Sequence, residues 1–119
     1  MALSETHVLV WGRNYNNALG VGTDVDSYNG LVPHPTRLTF GDISFTQIAF
    51  GDQHTAAISG NGEVFTWSDG YYGQLGHADC KSRNLPKKVE NLSTETIVKV
   101  ACGGRHTAAL TKTGKLYTW

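Results

Sequence analysis

His54 and His106 are the side chains whose chemistry would matter most here, because an imidazole near neutral pH can act as general base, proton shuttle or metal ligand. Each lies in the same setting, a glycine three residues upstream (Gly51, Gly103) and Thr-Ala-Ala directly after, and the two copies stand 52 residues apart. A catalytic group is needed once, whereas a scaffold residue is needed in every copy of a repeat. The recurrence therefore argues for architecture. The expected role is a ring hydrogen-bonded to backbone groups of the neighbouring turn, since buried polar atoms require partners. Gly51 and Gly103 are expected to give the backbone the freedom that turn needs.

Other chemical candidates fail on spacing. Cys80 and Cys102 do not occupy equivalent repeat positions and form no CxxC pair, so neither a disulfide framework nor a zinc site is indicated. Reduced, partly buried thiols in a cytoplasmic or nuclear protein are the expectation. Residues 24–30 have some of the acidic spacing of a calcium loop, but Asn29 and Gly30 fall one place late and position twelve is Pro35. Residues 70–76 are glycine-rich yet lack the Lys-Ser/Thr of a phosphate loop. No nucleophile–base pair or metal-spaced cluster is present, so no catalytic residue, cofactor or metal is assigned.

The elements that carry these residues repeat as well. Residues 49–58 return as 101–110, and 63–67 return as 115–119, at the same offset of 52. Trp11 with Leu19 and Gly20 matches Trp67 with Leu75 and Gly76 at an offset of 56. A period of this size marks a unit that must stack on copies of itself to bury its apolar face. Residues 54–59 and 63–67 read as strands joined by a Gly/Asn turn, a hairpin signal. Residues 45–50 and 97–102 read as further strands, and no window sustains a helical period. Ala56, Ala57, Ala108 and Ala109 are small enough to let adjacent sheets approach. The tryptophans are expected as core fillers.

Composition agrees. Of 119 residues, 39% are hydrophobic and 14 are glycine, which suits many short strands and tight turns. Ten basic and ten acidic residues cancel. Residues 1–60 hold two basic and five acidic residues, and 61–119 hold eight and five. That balance argues against a nucleic-acid partner despite the local cluster Lys81, Arg83, Lys87 and Lys88. The first residues show no secretory leader, and no stretch is apolar for the length of a membrane span.

The run from Val8 through Trp11 to Gly20, then a proline, then residues 48–58 resembles the repeat of the regulator of chromosome condensation family. Trp67, Gly73, Gln74, Leu75, Gly76, Pro86, Gly103, His106 and Leu110 supply the second copy. Ser68 and Gly70 depart from the glycine and asparagine of that pattern, and Asn17 and Ala18 from its Gly-Gln. The resemblance implies an all-β fold, a part of a seven-bladed propeller of four-stranded antiparallel blades. About two blades plus one extra strand are expected, with repeat units at 8–66 and 67–118 and a third beginning at Trp119. The structural repeat positions are then Trp11, Gly51, His54, Trp67, Gly76, Gly103, His106 and Trp119. So short an arc leaves sheet faces open, which is expected to require further blades in cis or in another chain. The stop at Trp119 favours a fragment of a larger regulator.

Functionally, the resemblance implies a protein-interaction module. A Ran-like small GTPase is the partner if the chain shares the founding member's nucleotide-exchange activity. A HECT-type ubiquitin ligase with its catalytic domain elsewhere is the third reading. Residues 13–42 are longer than their counterpart, and Asp24, Asp26, Tyr28 and Asn29 are the candidate partner loop. UV-B-sensing plant members carry tryptophan in a G-W-R-H-T motif. Here Asp52 and Gly104 occupy that slot, which argues against photoreception.

Overall fold

The computed structural model describes residues 8–14, 18–20 and 31–119, so the candidate loop Asp24, Asp26, Tyr28 and Asn29 lies outside the described residues. Ten strands and no α-helix are found among them: β1 (Leu9–Arg13), β2 (Leu31–Arg37), β3 (Thr39–Phe40), β4 (Ile43–Phe50), β5 (His54–Ser59), β6 (Val64–Ser68), β7 (Arg83–Lys88), β8 (Ile97–Cys102), β9 (Thr107–Thr111) and β10 (Leu116–Thr118). A short 3-10 helix, Glu90–Leu92, precedes β8. The strands form three antiparallel sheets, ordered β1-β2, β3-β4-β5-β6-β7 and β10-β9-β8.

Apart from the two-residue β3, the strands number those of two blades plus one, but their grouping differs from a simple succession. The middle sheet holds one complete four-stranded blade, β4 to β7, and incomplete sheets flank it on either side. The cause is that the sequence repeat and the sheet are out of phase. Strands β4 and β5 precede the Trp67 segment, yet they share a sheet with β6, which carries Trp67, and with β7 beyond it.

Side-chain alternation explains how the middle blade is held. Strands β5 and β6 are buried at every position. Successive residues point to opposite faces, so Ala57, Phe65 and Trp67 pack with Val10, Leu19, Val32 and Leu38 of the first sheet and its flanks. Ala56, Ile58 and Val64 pack with Ile97, Val100 and Ala109 of the third. A bulge between Phe45 and Gln47 lets Phe45 and Ile48, three residues apart, share one face. The same irregularity between Ile97 and Lys99 does so for Ile97 and Val100. Inside the first interface Phe45 meets Phe65 edge-on at 5.4 Å between centroids.

The hairpins are closed by the same local chemistry. Ser59 N–H donates to Glu63 O at 2.9 Å and Thr111 N–H to Lys115 O at 2.8 Å. The Ser59 and Thr111 hydroxyls accept from the N–H of Glu63 and Lys115 at 3.2 and 2.9 Å.

Candidate functional site

A polar relay crosses from the middle sheet to the third. His54 donates from Nε2 to Thr107 Oγ1 at 2.9 Å, and Thr107 Oγ1 donates onward to Gln74 O at 2.6 Å. The direction follows from the inventory: the carbonyl only accepts, so the hydroxyl gives it its proton and receives the imidazole N–H. His54, Thr107 and Gln74 are all essentially buried, at 1%, 0% and 0% exposure. The Thr107 hydroxyl thus joins His54 to the next repeat. Nδ1 of His54 has no protein partner.

Gly51 is explained by close approach. A Cβ at this position would run into the Gly103 carbonyl oxygen and would lie 2.6 Å from His54 Cε1 and 2.7 Å from Nδ1. The ring of His106 covers Gly103 in the same way. At Gly20 a Cβ would come within 2.7 Å of the Trp67 indole, and at Gly76 within 2.7 Å of Trp119. Each tryptophan therefore lies flat against the glycine of the preceding unit. Trp67 Nε1 and Thr55 Oγ1 both donate to Ala18 O at 2.8 Å.

Equivalent residues do not share equivalent surroundings. Trp67 is fully buried, whereas Trp11 is 58% exposed because no preceding sheet lies against it among the described residues. His106 is exposed while His54 is buried. Leu9, Trp11 and Phe50 leave an open apolar face on one side, and Leu116 does so on the other.

Among the described residues a few titratable groups are displaced from their usual values. Burial holds the His54 imidazole below its usual value, against a backbone hydrogen bond at His106. Burial lowers His77 too, and the Arg83 and Lys87 cations act in the same direction. Burial pushes the Cys102 thiol up to about 11. Asp79 is lowered by a backbone hydrogen bond at Lys81 and by Arg83, to which it is bonded at 2.9 Å. Among the described residues, no three His, Cys, Asp or Glu side chains gather in a way that could hold a metal. No described helix is long and apolar enough to cross a membrane.

One exposed group was not anticipated from sequence. Tyr71 and Tyr72 stand on the loop after β6, and Arg105, from the β8–β9 turn, lies over the Tyr72 ring at 4.2 Å. The available signal was two adjacent aromatics in a glycine-rich stretch that belongs to no strand.

Comparison with known proteins agrees with this geometry. The family model described as the regulator of chromosome condensation (RCC1) repeat matches residues 6–58 and 61–110. The ultraviolet-B receptor UVR8 of Arabidopsis thaliana is 40% identical over 115 residues, covering 97% of this chain and 25% of that protein. The probable E3 ubiquitin-protein ligase HERC4 of Homo sapiens is 37% identical over 120 residues, covering 100% and 11%. Among solved structures, human WBSCR16 superposes with a TM-score of 0.75 at 25% identity, over 97% of this chain and 31% of that one. Yeast RCC1 (Prp20), solved with Kap60, gives 0.72 at 25% identity, over 95% and 28%. The chain spans about a quarter or less of the curated relatives it matches. With two stacked repeat units matched across most of its length, this chain belongs to the regulator of chromosome condensation (RCC1) repeat family.

Proposed function

We propose that this chain is a non-enzymatic protein-interaction module, one arc of a propeller whose blades continue in cis or in another chain. The observation that carries the reading is the relay from His54 through Thr107 to Gln74. The His54 ring in it is buried at a sheet-to-sheet contact, which supports a packing role for this histidine. The open faces at Trp11 and Leu116 support continuation, because apolar patches of this kind are normally covered. Trp11, Gly51, His54, Trp67, Gly76, Gly103, His106 and Trp119 are the framework positions. A cytoplasmic or nuclear location goes with this reading.

A second reading is nucleotide exchange on a small GTPase. It is favoured by likeness to Prp20p of Saccharomyces cerevisiae, whose structure was described together with its binding to Gsp1p and histones. Exchange requires no covalent step, only tighter binding of the empty GTPase. The propeller part of a ubiquitin ligase is supported by likeness to HERC4. Nucleotide release from a panel of purified small GTPases, with the chain added in excess, separates the first two. Binding without acceleration supports the module; acceleration moves the assignment to exchange. A chemical turnover lost in a folded His54→Gln variant would overturn the non-enzymatic reading.

A further inference from the structure

The tyrosine pair and Arg105 form an exposed surface. Tyr71 and Tyr72 are 70% and 50% exposed. Their rings meet edge-to-face at 5.2 Å between centroids. The loop beneath is fixed by its own hydrogen bonds. Tyr71 N–H donates to Asp69 Oδ1 at 3.0 Å and Tyr72 N–H to Gln74 Oε1 at 2.8 Å. Gly70 N–H donates to Ser82 Oγ at 3.2 Å and Gly73 N–H to Gly70 O at 3.0 Å. Two aromatic rings on so restrained a loop are displayed with little ordering left to lose on binding, the condition in which Tyr and Arg act as binding hot spots.

Arg105 decides what such a surface would take. Among the described residues no carboxylate lies within ion-pair distance of it. The Tyr72 ring engages the guanidinium as a cation–π partner, with the guanidinium carbon 4.2 Å from the ring centroid, a contact that uses no N–H acceptor and so leaves donors for a planar anion. We propose that Tyr71, Tyr72 and Arg105 dock a protein partner that presents a carboxylate flanked by apolar side chains. The carboxylate pairs bidentately with Arg105, and the apolar flank lies on the tyrosine rings. Complementarity favours a single carboxylate over a nucleic-acid backbone. Asp69 sits beneath Tyr71 and Asp52 beside Gly104, where a Cβ would be 3.2 Å from the Asp52 carboxylate. These two anions would oppose a run of phosphates.

The proposal rests on the interaction-module reading, and the test separates the two. Fluorescence anisotropy of the chain is measured against synthetic peptides with a central Asp or Glu between apolar residues, and against the same peptides carrying Asn or Gln. The acidic set should bind, and the amide set should bind about tenfold or more weakly. Arg105→Ala and Tyr72→Ala should each lower acidic-peptide affinity about tenfold or more, and Arg105→Lys should not restore it. Unchanged urea midpoints certify that these variants remain folded. Equal binding of both peptide sets overturns the proposal, as does acidic-peptide binding that survives Arg105→Ala. Preferential binding of a thymidine oligonucleotide through the same residues also overturns it. If the peptides fail while a small GTPase still binds the chain independently of Arg105, the docking surface is refuted and the module reading stands.

Discussion

Replacing Thr107 by valine removes one hydroxyl while keeping the branched shape of the side chain. That hydroxyl is the middle member of the relay, accepting from His54 Nε2 at 2.9 Å and donating to Gln74 O at 2.6 Å. Its loss strands an imidazole N–H and a carbonyl in a site sealed from water, at about 1–3 kcal/mol each. Sparing the hydroxyl its own desolvation returns about 1 kcal/mol, so the net loss should be about 1–5 kcal/mol. Thr55→Val is the matched control. Its hydroxyl donates to Ala18 O, but Trp67 Nε1 donates to the same oxygen, so the carbonyl keeps a partner. The expected loss there is about 1 kcal/mol. In urea, with a slope of about 1–2 kcal/mol/M, Thr107→Val should lower the midpoint by about 0.5–5 M, centred near 2 M, and Thr55→Val by about 0.5–1 M. Equal shifts, or a larger one for Thr55→Val, would refute the assignment of the relay as the stabilising contact between these sheets.

Acid should weaken the fold through two imidazoles. His54 and His77 are held below 6.5 by burial, so the unfolded chain takes up protons that the folded one refuses. Stability is therefore full above pH 6.5 and declines as pH falls from there towards the folded values. A urea midpoint that stays level down to about pH 5 would contradict this. Thiol labelling at mildly alkaline pH should modify exposed Cys80 quickly and Cys102, raised to about 11, only on unfolding; two equally fast thiols would disprove it. Gly51→Ala should cost about 1–3 kcal/mol by forcing a methyl group against the Gly103 carbonyl and the His54 ring, whereas Gly60→Ala, with open space around it, should be neutral or slightly stabilising. Thermal melts of the two variants decide it, and equal melting temperatures would count against the crowding argument.

Much of the fold could be read from residue type and spacing, because the repeated contacts are local consequences of repeated side chains. The β5–β6 hairpin and the strands at 45–50 and 97–102 followed from turn residues and β-branched runs, and no α-helix interrupts them among the described residues. The grouping of strands into sheets did not follow, since a periodic sequence has no mark for where one sheet ends. Burial of the repeated residues was equally hidden. Trp11 and Trp67 look alike in sequence, but exposure depends on which neighbour is present, and the same holds for His106 and His54. The departures from the repeat pattern are accommodated at the turns. Gly12 adopts φ +100°, and Ser68 in the equivalent slot is held at φ +83°, a strained value for a residue with a Cβ. Asn14 Oδ1 accepts from Leu19 N–H at 3.0 Å; where Gly70 replaces that asparagine, Gln74 Oε1 anchors the loop instead, through Tyr72 N–H. The adjacent tyrosines were visible in sequence, but their meeting with Arg105, 33 residues on, was not, because it depends on how two sheets sit side by side.

The phase difference between repeat and sheet has a consequence for how such chains can grow. The first matched span, residues 6–58, donates β4 and most of β5 to the middle blade, and the second, 61–110, donates β6 and β7. A tandem duplication of one span would not add a free-standing sheet. It would insert a link already hydrogen-bonded to the older structure on both sides, with its tryptophan laid on the glycine of the unit before. Lengthening the array thus creates no unsealed joint, and the number of spokes can change in evolution without any intermediate passing through a broken rim.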